Sequence, residues 1–295
     1  FLEERCVGVV DGGRQGSRTR GSFMRLLAVE EIRRASIYQK RVRLAGGDGG
    51  RGGNGGYVSY DEGVLFQGIR RLDGLVEPIG DALPLDLLEG LVTARADRKP
   101  VAVVADLVDG DRWLTHHGYD ERFRMDRSGF EEDGRFFVAI HNPPLRMIVV
   151  GAVHIAQALV PMARLAGYDP MIIDPRDSFG SQARFPGETI LNDWPDDAVK
   201  SLGLDIRTAL VLLTHDPKLD DPALEQALGA DVFYIGALGS TRTHAKRVDR
   251  LIAKGFSAQQ IARIHGPVGL NIGAASPAEI AVAILAQATQ VLRQG

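Results

Sequence analysis

A short apolar run that ends in Gly151 and passes directly into a helical pattern constrains the fold of this chain more than any other segment. Residues 146–156 follow the order of strand, tight turn and helix that opens a Rossmann-type unit. In that fingerprint a second glycine lets the backbone approach a pyrophosphate closely, but here Val153 stands in its place and His154 follows. The segment therefore predicts the fold and departs from the usual dinucleotide-binding loop.

The alternation of strand and helix continues to the end of the chain. The last helix is predicted to begin at residues 276–279, where a serine N-cap, a proline and a capping-box glutamate stand in register. Residues 145–295 are therefore predicted to form a doubly wound, Rossmann-like α/β domain with a parallel sheet. Apolar runs predict its strands at residues 147–150, 170–174, 189–191, 209–213 and 232–235.

The chain before residue 145 is predicted to form a smaller mixed α+β domain with antiparallel pairing. Residues 1–75 form an atypical region rich in Gly and Arg, and its high entropy cost of ordering favours a flexible or poorly packed arm. A phosphate-binding P-loop is excluded there because no Gly-Lys-Ser or Gly-Lys-Thr triplet follows the glycines. Residues 76–144 carry a helix at residues 85–92, a strand at 101–108, its hairpin partner at 112–117 and a third strand at 135–140.

The composition limits the classes of function. A net charge of −3 gives no general attraction to nucleic acid or to acidic membranes. No apolar run approaches the roughly 20 residues that a bilayer span needs. The single cysteine, Cys6, rules out an internal disulfide and a multi-cysteine metal site, and it fits a reducing cytoplasm. The long separations between histidines and the lack of a nucleophile elbow leave no residue assigned to catalysis or to a metal.

Polar or glycine-containing segments follow the predicted strands, at the edge where open parallel sheets bind ligands. They lie at residues 151–154, 174–176, 214–216 and 236–240, and four of the seven histidines lie in or near them. A polar residue at a strand end can also serve only as a cap, and Asp216 is a predicted N-cap for a helix that begins near residue 217. Both interpretations stay open for these loops.

Two of these loops suggest particular ligand groups. In residues 236–242 the glycines allow close backbone approach, the next helix offers free N–H groups and Arg242 adds a positive charge, which favours an anion. Asp174 lies about 20 residues after the glycine turn, where an acidic residue holds the ribose of a dinucleotide. The same aspartate could instead cap its own loop.

Six segments in a fixed order make the chain similar to the XdhC/CoxI family, from about Val76 to the end. The glycine-rich cysteine segment of the family has only a faint counterpart at residues 5–8, so the role of its cysteine is not carried over to Cys6. The matching segments are residues 142–146, 150–156, 173–176, 213–217, 234–240 and 265–273.

The resemblance implies an accessory protein of molybdenum hydroxylases such as xanthine dehydrogenase. Such a protein binds the molybdenum cofactor (molybdopterin) transiently, protects it during sulfuration and inserts it into the apo-hydroxylase, without being an enzyme itself. It also implies a cytoplasmic homo-oligomer whose partners are a xanthine dehydrogenase-type apo-hydroxylase and a cysteine desulfurase or sulfurtransferase, with no nucleic acid or membrane partner. The alternative is an NAD(P)-dependent oxidoreductase with a modified Rossmann loop.

The predicted cofactor-binding residues lie in the strand-end loops and in the segments that resemble the family. They are Gly151, His154, Asp174, Thr214, His215, Asp216, Gly236, Gly239, Ser240, Arg242, His244, His265 and Asn271.

Overall fold

The computed structural model describes residues 84–295, together with the strands β1 (Gly56–Ser59) and β2 (Asp73–Val76), which pair antiparallel. The chain divides into two compact units, Phe1–Asn142 and Pro143–Gly295. Apart from β1 and β2, the predicted Gly/Arg-rich region lies outside the described residues, and the assignment of the first 144 residues to family domains stays a prediction. None of the described helices combines the length and apolar character that a bilayer span requires.

The described part of the first unit is an antiparallel sheet with two helices. Helix α1 (Leu85–Ala96) leads into β3 (Val101–Asp106), which pairs with β4 (Arg112–Thr115). Helix α2 (Asp120–Met125), β5 (Gly129–Phe130) and β6 (Phe136–His141) follow, and the strand order is β4-β3-β6-β5. The predicted hairpin and third strand are confirmed. The sequence pattern does not predict α2 and β5, because such short elements show no period.

Helix α1 forms where its apolar spacing predicts a helix, but the apolar residues do not all enter a core. Leu85 is 47% exposed and Val92 is 40% exposed, and Ala94 is the buried residue of this helix. Periodicity therefore predicts the helix correctly and overstates how much of its apolar stripe is covered.

The second unit is built on a six-stranded parallel sheet. Its order across the sheet is 3-2-1-4-5-6 when the six strands are counted along the chain, as in doubly wound nucleotide-binding domains. This arrangement confirms the predicted fold class. The strands in chain order are β7 (Leu145–Val150), β8 (Tyr168–Ile173), β9 (Thr189–Leu191), β10 (Thr208–Leu212), β11 (Tyr234–Ala237) and β12 (Ile264–His265).

Helices cover both faces of this sheet, which is why strands such as β7 and β10 are apolar at nearly every position. On one face, α3 and α8 contribute Leu159 and Ile284 to a fully buried cluster. On the other face, α4 to α7 contribute Val199, Leu224 and Leu251 to a second cluster. The helices are α3 (His154–Leu165), α4 (Pro195–Leu202), α5 (Pro217–Leu228), α6 (Thr241–Ala253), α7 (Ala258–Ile261) and α8 (Pro277–Gln294).

Local sequence signals place the ends of these helices. The predicted capping box of α8 is confirmed, since the Glu279 N–H donates to Ser276 Oγ at 3.3 Å and the Ser276 N–H donates to Glu279 Oε2 at 2.8 Å. The predicted N-cap of α5 is confirmed as well, because the Asp216 carboxylate accepts from the Lys218 N–H at 3.0 Å. These caps fix where the helices begin. They also fix where the loops end at the ligand edge, which is the edge of the sheet formed by the carboxyl ends of the parallel strands.

Gly151 lies at the point where the strand order reverses, between β7 and β10. Its φ is +107°, and a Cβ added there would lie 2.7 Å from Thr214 Cγ2 and 3.2 Å from the Thr214 backbone nitrogen. The loop after β7 therefore passes so close to the loop after β10 that only glycine fits. This glycine is needed for the packing of two strand ends, whatever the ligand.

We predict that Gly151→Ala lowers the free energy of unfolding by about 2–5 kcal/mol, the sum of a positive-φ penalty and an overlap with backbone that cannot move away. Urea unfolding followed by circular dichroism measures it. Gly167→Ala is the matched control, because Gly167 has φ +87° and nothing lies within 4 Å of its added Cβ. The control should lose only about 1–2 kcal/mol. Equal losses in the two variants would contradict the steric explanation.

Candidate functional site

The ligand edge of the parallel sheet begins with the turn between β7 and α3. Val153 takes the extended conformation at the N-cap, with φ −90° and ψ 178°, so this position needs no glycine in this fold. No side chain caps the helix at this end, and His154, its first residue, is exposed. The turn thus offers a helix N-terminus and an imidazole to solvent, as the sequence suggests.

Asp174, directly after β8, is fully buried and each of its two carboxylate oxygens accepts two hydrogen bonds. Oδ2 accepts from the Ala152 N–H at 2.8 Å and from Arg176 Nη2 at 2.7 Å. Oδ1 accepts from the Arg176 backbone N–H at 3.0 Å and from Arg176 Nε at 2.8 Å. Because a carboxylate offers about four acceptor positions, none is left for a ribose hydroxyl.

The charge of Asp174 is stabilised despite its burial. Burial alone would raise the pKa of this carboxyl group, but the hydrogen bonds from Arg176 and from the Ala152 N–H outweigh it, so the pKa lies below its ordinary value. The aspartate therefore stays ionised and fixes the turn after β7 to the end of β8. A contribution to ligand binding would act through the position of Ala152.

Two arginines and an aromatic ring continue this network on the same edge. The Arg176 guanidinium lies over the Phe179 ring, 4.1 Å from its centroid. Arg184 Nη1 donates to the Ala152 carbonyl at 2.5 Å and to the Phe179 carbonyl at 3.0 Å. The backbone N–H and the backbone carbonyl of Ala152 are thus both hydrogen-bonded to side chains, which leaves the turn little freedom to rearrange.

The loop between β10 and α5 places a second polar group beside the reversal point. His215 is exposed and has a φ of +61°, a conformation that costs free energy for a residue other than glycine. Thr214 Oγ1 donates to Asp220 Oδ1 at 2.6 Å and accepts from the Asp216 N–H at 3.1 Å. These bonds hold His215 outward in its strained conformation.

A cavity of about 500 Å³ opens beside this loop, between the start of α5 and the first half of α6. Asp220 and Arg247, which line it, are 1% and 2% exposed. Burial raises the pKa of Asp220, and the hydrogen bond from Thr214 and the charge of Arg247 only partly offset this. Burial likewise lowers the pKa of Arg247. The cavity therefore contains two ionisable groups that burial disfavours in their charged forms.

The loop after β11 has the features that indicate an anion site. Gly239 has φ +142°, and a Cβ there would lie 3.0 Å from Thr243, so the turn requires glycine. Ser240 caps α6 by accepting from the Thr243 N–H at 3.2 Å. Arg242 is exposed and lines the cavity together with His215. The structure thus brings two of the predicted site residues to one cavity.

The remaining predicted residues have packing contacts of their own. His244 packs so closely on Gly266 that a Cβ on that glycine would lie 2.2 Å from the ring, and burial lowers the pKa of His244. His265 stacks on Tyr234 with ring centroids 5.0 Å apart, and burial lowers its pKa too. Gly236 also packs on Tyr234, and Asn271 is exposed between β12 and α8. Their roles in ligand binding stay predictions.

Sequence reasoning missed the residues that give the site its charge. Lys246 and Arg247 lie on α6 and Asp220 lies on α5, all on the wall of the cavity. Arg242, Lys246 and Arg250 are spaced four residues apart, and this spacing could have predicted a basic face of the helix. Among the described residues, no group of three or more histidine, cysteine or acidic side chains is placed to hold a metal ion.

The second unit is thus a doubly wound α/β domain in which the buried Asp174 carboxylate holds the turn after β7. Comparison with known proteins identifies the family that this unit resembles. Residues 147–288 match the XdhC Rossmann domain. This stretch is therefore similar to the XdhC Rossmann domain, and the resemblance to the XdhC/CoxI family is confirmed over it.

Three curated relatives are similar to this chain over more than half of its length. YqeB and the molybdenum cofactor insertion chaperone PaoD, both of Escherichia coli K12, are each 33% identical to this chain, over 59% and 56% of its length. A protein of Bacillus subtilis 168 named as a probable xanthine dehydrogenase subunit is 28% identical over 56% of the chain. The matches cover 33%, 45% and 48% of the three relatives, so the chain spans between a third and a half of their lengths.

A solved structure is similar in fold. A crystal structure described as a xanthine dehydrogenase from Bacillus halodurans superimposes with a TM-score of 0.54 and 24% identity. The alignment covers 76% of this chain and 68% of the other. At this level of identity the likeness extends to the fold alone.

We expect Asp174→Asn to lower the free energy of unfolding at pH 7 by about 1–3 kcal/mol, because it removes the charge that Arg176 and the Ala152 N–H bind. Solvent screening limits the loss, since the Arg176 side chain is 37% exposed. Folding lowers the Asp174 pKa, so the stabilisation is complete above the ordinary value of 3.8 and is lost as the pH falls through the folded-state value.

The measurement is a series of urea titrations of wild type and Asp174→Asn from neutral to strongly acidic pH. The difference between the two proteins should shrink as the pH drops below 3.8. Asp177→Asn, at an exposed position three residues later, is the control and should change stability by no more than about 0.5 kcal/mol. A difference that is independent of pH would contradict the proposed ionised state of Asp174.

Proposed function

We propose that this chain is an accessory chaperone that binds the molybdenum cofactor, protects it during sulfuration and inserts it into a xanthine dehydrogenase-type hydroxylase. The observation that carries the proposal is the match of residues 147–288 to the XdhC Rossmann domain. The polar loops at its ligand edge are open to solvent, whereas Asp174, which stands where dinucleotide-binding domains bind the ribose, is bonded to Ala152 and Arg176. The similarity to a relative named as a molybdenum cofactor insertion chaperone supports the same role.

The side chains at the ligand edge fit the chemistry of molybdopterin, which presents a phosphate group and a flat, hydrogen-bonding pterin. Exposed His154 and His215 lie at the ends of β7 and β10 and can hydrogen-bond to pterin edges. Arg242 offers a guanidinium and the α6 terminus offers N–H groups to an anion. The bound group would supply the molybdenum chemistry, and the protein would orient it and keep water from it.

The proposal gives the chain binding and delivery rather than turnover. The ionised Asp174 has all its acceptor positions occupied, so it is held as a structural anion and is not available as a general base. The partners we propose are an apo-hydroxylase and a sulfurtransferase, with the chain acting as a cytoplasmic homo-oligomer. The resemblance to the XdhC/CoxI family is what supports this part of the proposal.

The second candidate function is an NAD(P)-dependent oxidoreductase, which the classical strand order favours. Two features of the ligand edge count against it. Val153 replaces the glycine that lets a pyrophosphate approach the turn, and Asp174 has no free acceptor for the ribose. An open dinucleotide site would need the Arg176 side chain to leave the carboxylate.

We predict that the full chain, expressed in a molybdopterin-producing host, carries molybdopterin that is detectable as its fluorescent oxidation product. His154→Ala and His215→Ala should each lower the retained amount about fivefold, which corresponds to the loss of one hydrogen bond of roughly 1 kcal/mol. His117→Ala, at an exposed position in the antiparallel unit, should retain as much as wild type. Absence of molybdopterin from wild type, together with no effect on activation of an apo-hydroxylase, would overturn the proposal.

The same preparation separates the two candidate functions. We expect titration with NAD or NADP, followed by calorimetry, to give no tight binding, because the turn is crowded and the ribose site is closed. The Val153→Gly variant should not gain tight dinucleotide binding while the Arg176 side chain is bonded to the Asp174 carboxylate. Tight binding to wild type, with turnover of a reduced cofactor, would instead establish the oxidoreductase.

A further inference from the structure

The cavity between α5 and α6 has more positive than negative charge on its walls. The first half of α6 contributes Arg242, Lys246 and Arg247, and Asp220 is the acidic residue that lines the cavity. Arg250 also lines it but is committed to Asp221, with Nε at 2.6 Å and Nη2 at 2.9 Å from the two carboxylate oxygens. The exposed Arg242 and Lys246 are therefore the cations at the mouth that a ligand can reach without breaking this pair.

Arg247 is the unusual group of this cavity. Its side chain is 2% exposed, Nη2 donates to the Leu238 carbonyl at 3.0 Å, and Nε and Nη1 have no hydrogen-bond partner among the described residues. Asp220 Oδ2 lies 3.8 Å from Nη2 and also lacks a hydrogen bond within this part of the chain. A buried guanidinium with unused donors is unfavourable unless a further partner completes its bonding.

Asp220 is a weak counterion for this guanidinium. Burial raises the pKa of Asp220, which favours its neutral form, and one of its oxygens is already bonded to Thr214. Within the described part of the chain, Asp220 is also the single acidic side chain that lines the cavity, against the cations Arg242, Lys246 and Arg247. The local charges therefore favour a bound anion as the missing partner.

We propose that this cavity binds a phosphate monoester group, with Arg247 at its inner wall and Arg242 and Lys246 at its mouth. A phosphate offers three terminal oxygens and two negative charges, which matches a planar guanidinium with two unused donors and two further cations. A carboxylate offers one negative charge and two oxygens to the three cations Arg242, Lys246 and Arg247, so it matches them less well than a phosphate does. The volume of about 500 Å³ admits the phosphate together with the first atoms of the compound that carries it.

The identity of the phosphorylated compound rests on the proposed function, whereas the phosphate site does not. Molybdopterin carries one phosphate group, and the cavity shares His215 with the ligand edge at the end of β10. Its phosphate could therefore occupy the cavity while the pterin lies along the strand ends. A free phosphorylated metabolite has the same recognition chemistry and is the other possible source.

The site is tested by titrating the full chain with inorganic phosphate and with phenyl phosphate in low-salt buffer, using isothermal titration calorimetry. Wild type should bind one phosphate group per chain in a saturable manner. The double variant Arg242→Gln/Lys246→Gln should weaken binding at least about tenfold, because two charge-assisted contacts are removed. Lys200→Gln, which removes an exposed charge on α4 outside the cavity, is the control and should bind as wild type does.

Arg247→Gln should also weaken phosphate binding, but its buried position can impair folding. The exposed double variant keeps the test decisive, since neither of its residues is buried. Lack of saturable phosphate binding by folded wild type would overturn the proposal. Binding that the double variant leaves unchanged would overturn it equally.

Cofactor retention by the same double variant identifies the source of the phosphate. Loss of both phosphate binding and molybdopterin retention supports a cavity that receives the cofactor phosphate. Loss of phosphate binding with retention at the wild-type level supports the site and assigns it to a separate phosphorylated compound. If wild type binds phosphate but neither retains molybdopterin nor raises the activation of an apo-hydroxylase, the cavity stands and the proposed function fails, so the two failures are distinguishable.

Discussion

The bonds that the Asp174 carboxylate accepts hold the ligand edge of the parallel sheet in place. They join the end of β8 to the turn after β7 and bind the Arg176 guanidinium, which also lies over the Phe179 ring. Arg184, from the segment after β8, donates a hydrogen bond to the Ala152 carbonyl and is the last member of this network. A buried polar network of this kind is stable only when all its members are bonded, so its residues cannot vary independently.

The same carboxylate explains how a nucleotide-type fold can carry a different site. In dinucleotide-binding domains an acidic residue at the end of the second strand faces the ribose. Here Asp174 is present at the corresponding strand end, but it is buried and its negative charge is paired with the Arg176 guanidinium. The strand order is kept while the acidic residue takes a different orientation, which illustrates why function has to be argued from the site and not from the fold.

The sequence predicts features that depend on local spacing. The parallel strands, the capping box at Ser276 and the N-cap at Asp216 all follow from patterns within a few residues, and the structure has each of them. The pattern at 146–156 also identifies Gly151 as the turn. Its close contact with Thr214, across more than sixty positions of the chain, shows a second reason for the glycine that spacing alone does not reveal.

Features that depend on burial or on contacts between distant segments could not be predicted in this way. Arg247 and Asp220 are ordinary charged residues of two amphipathic helices in the sequence, and only the packing of α5 against α6 buries them together. His265 depends on packing in the same way, because it lies in β12 and its ring stacks on Tyr234, a contact that spacing along the chain does not reveal. Tertiary packing determines the direction of a side chain at a strand end, and the spacing of residues in a single sequence does not predict that direction.

The two walls of the cavity are joined along their outer edge by ion pairs between helices. Arg250 on α6 binds Asp221 on α5, and Lys254 binds Glu225 one turn further along. The Lys254–Glu225 pair is partly exposed, contributes only about 0–1 kcal/mol and weakens as salt screens it, whereas Asp221 of the other pair is buried. The apolar cluster beneath, which includes Leu224 of α5 and Leu251 of α6, holds both helices to the sheet. A rise in ionic strength would therefore weaken the outer Lys254–Glu225 pair first, while the buried Asp221, the sheet and its cores keep the two helices in place.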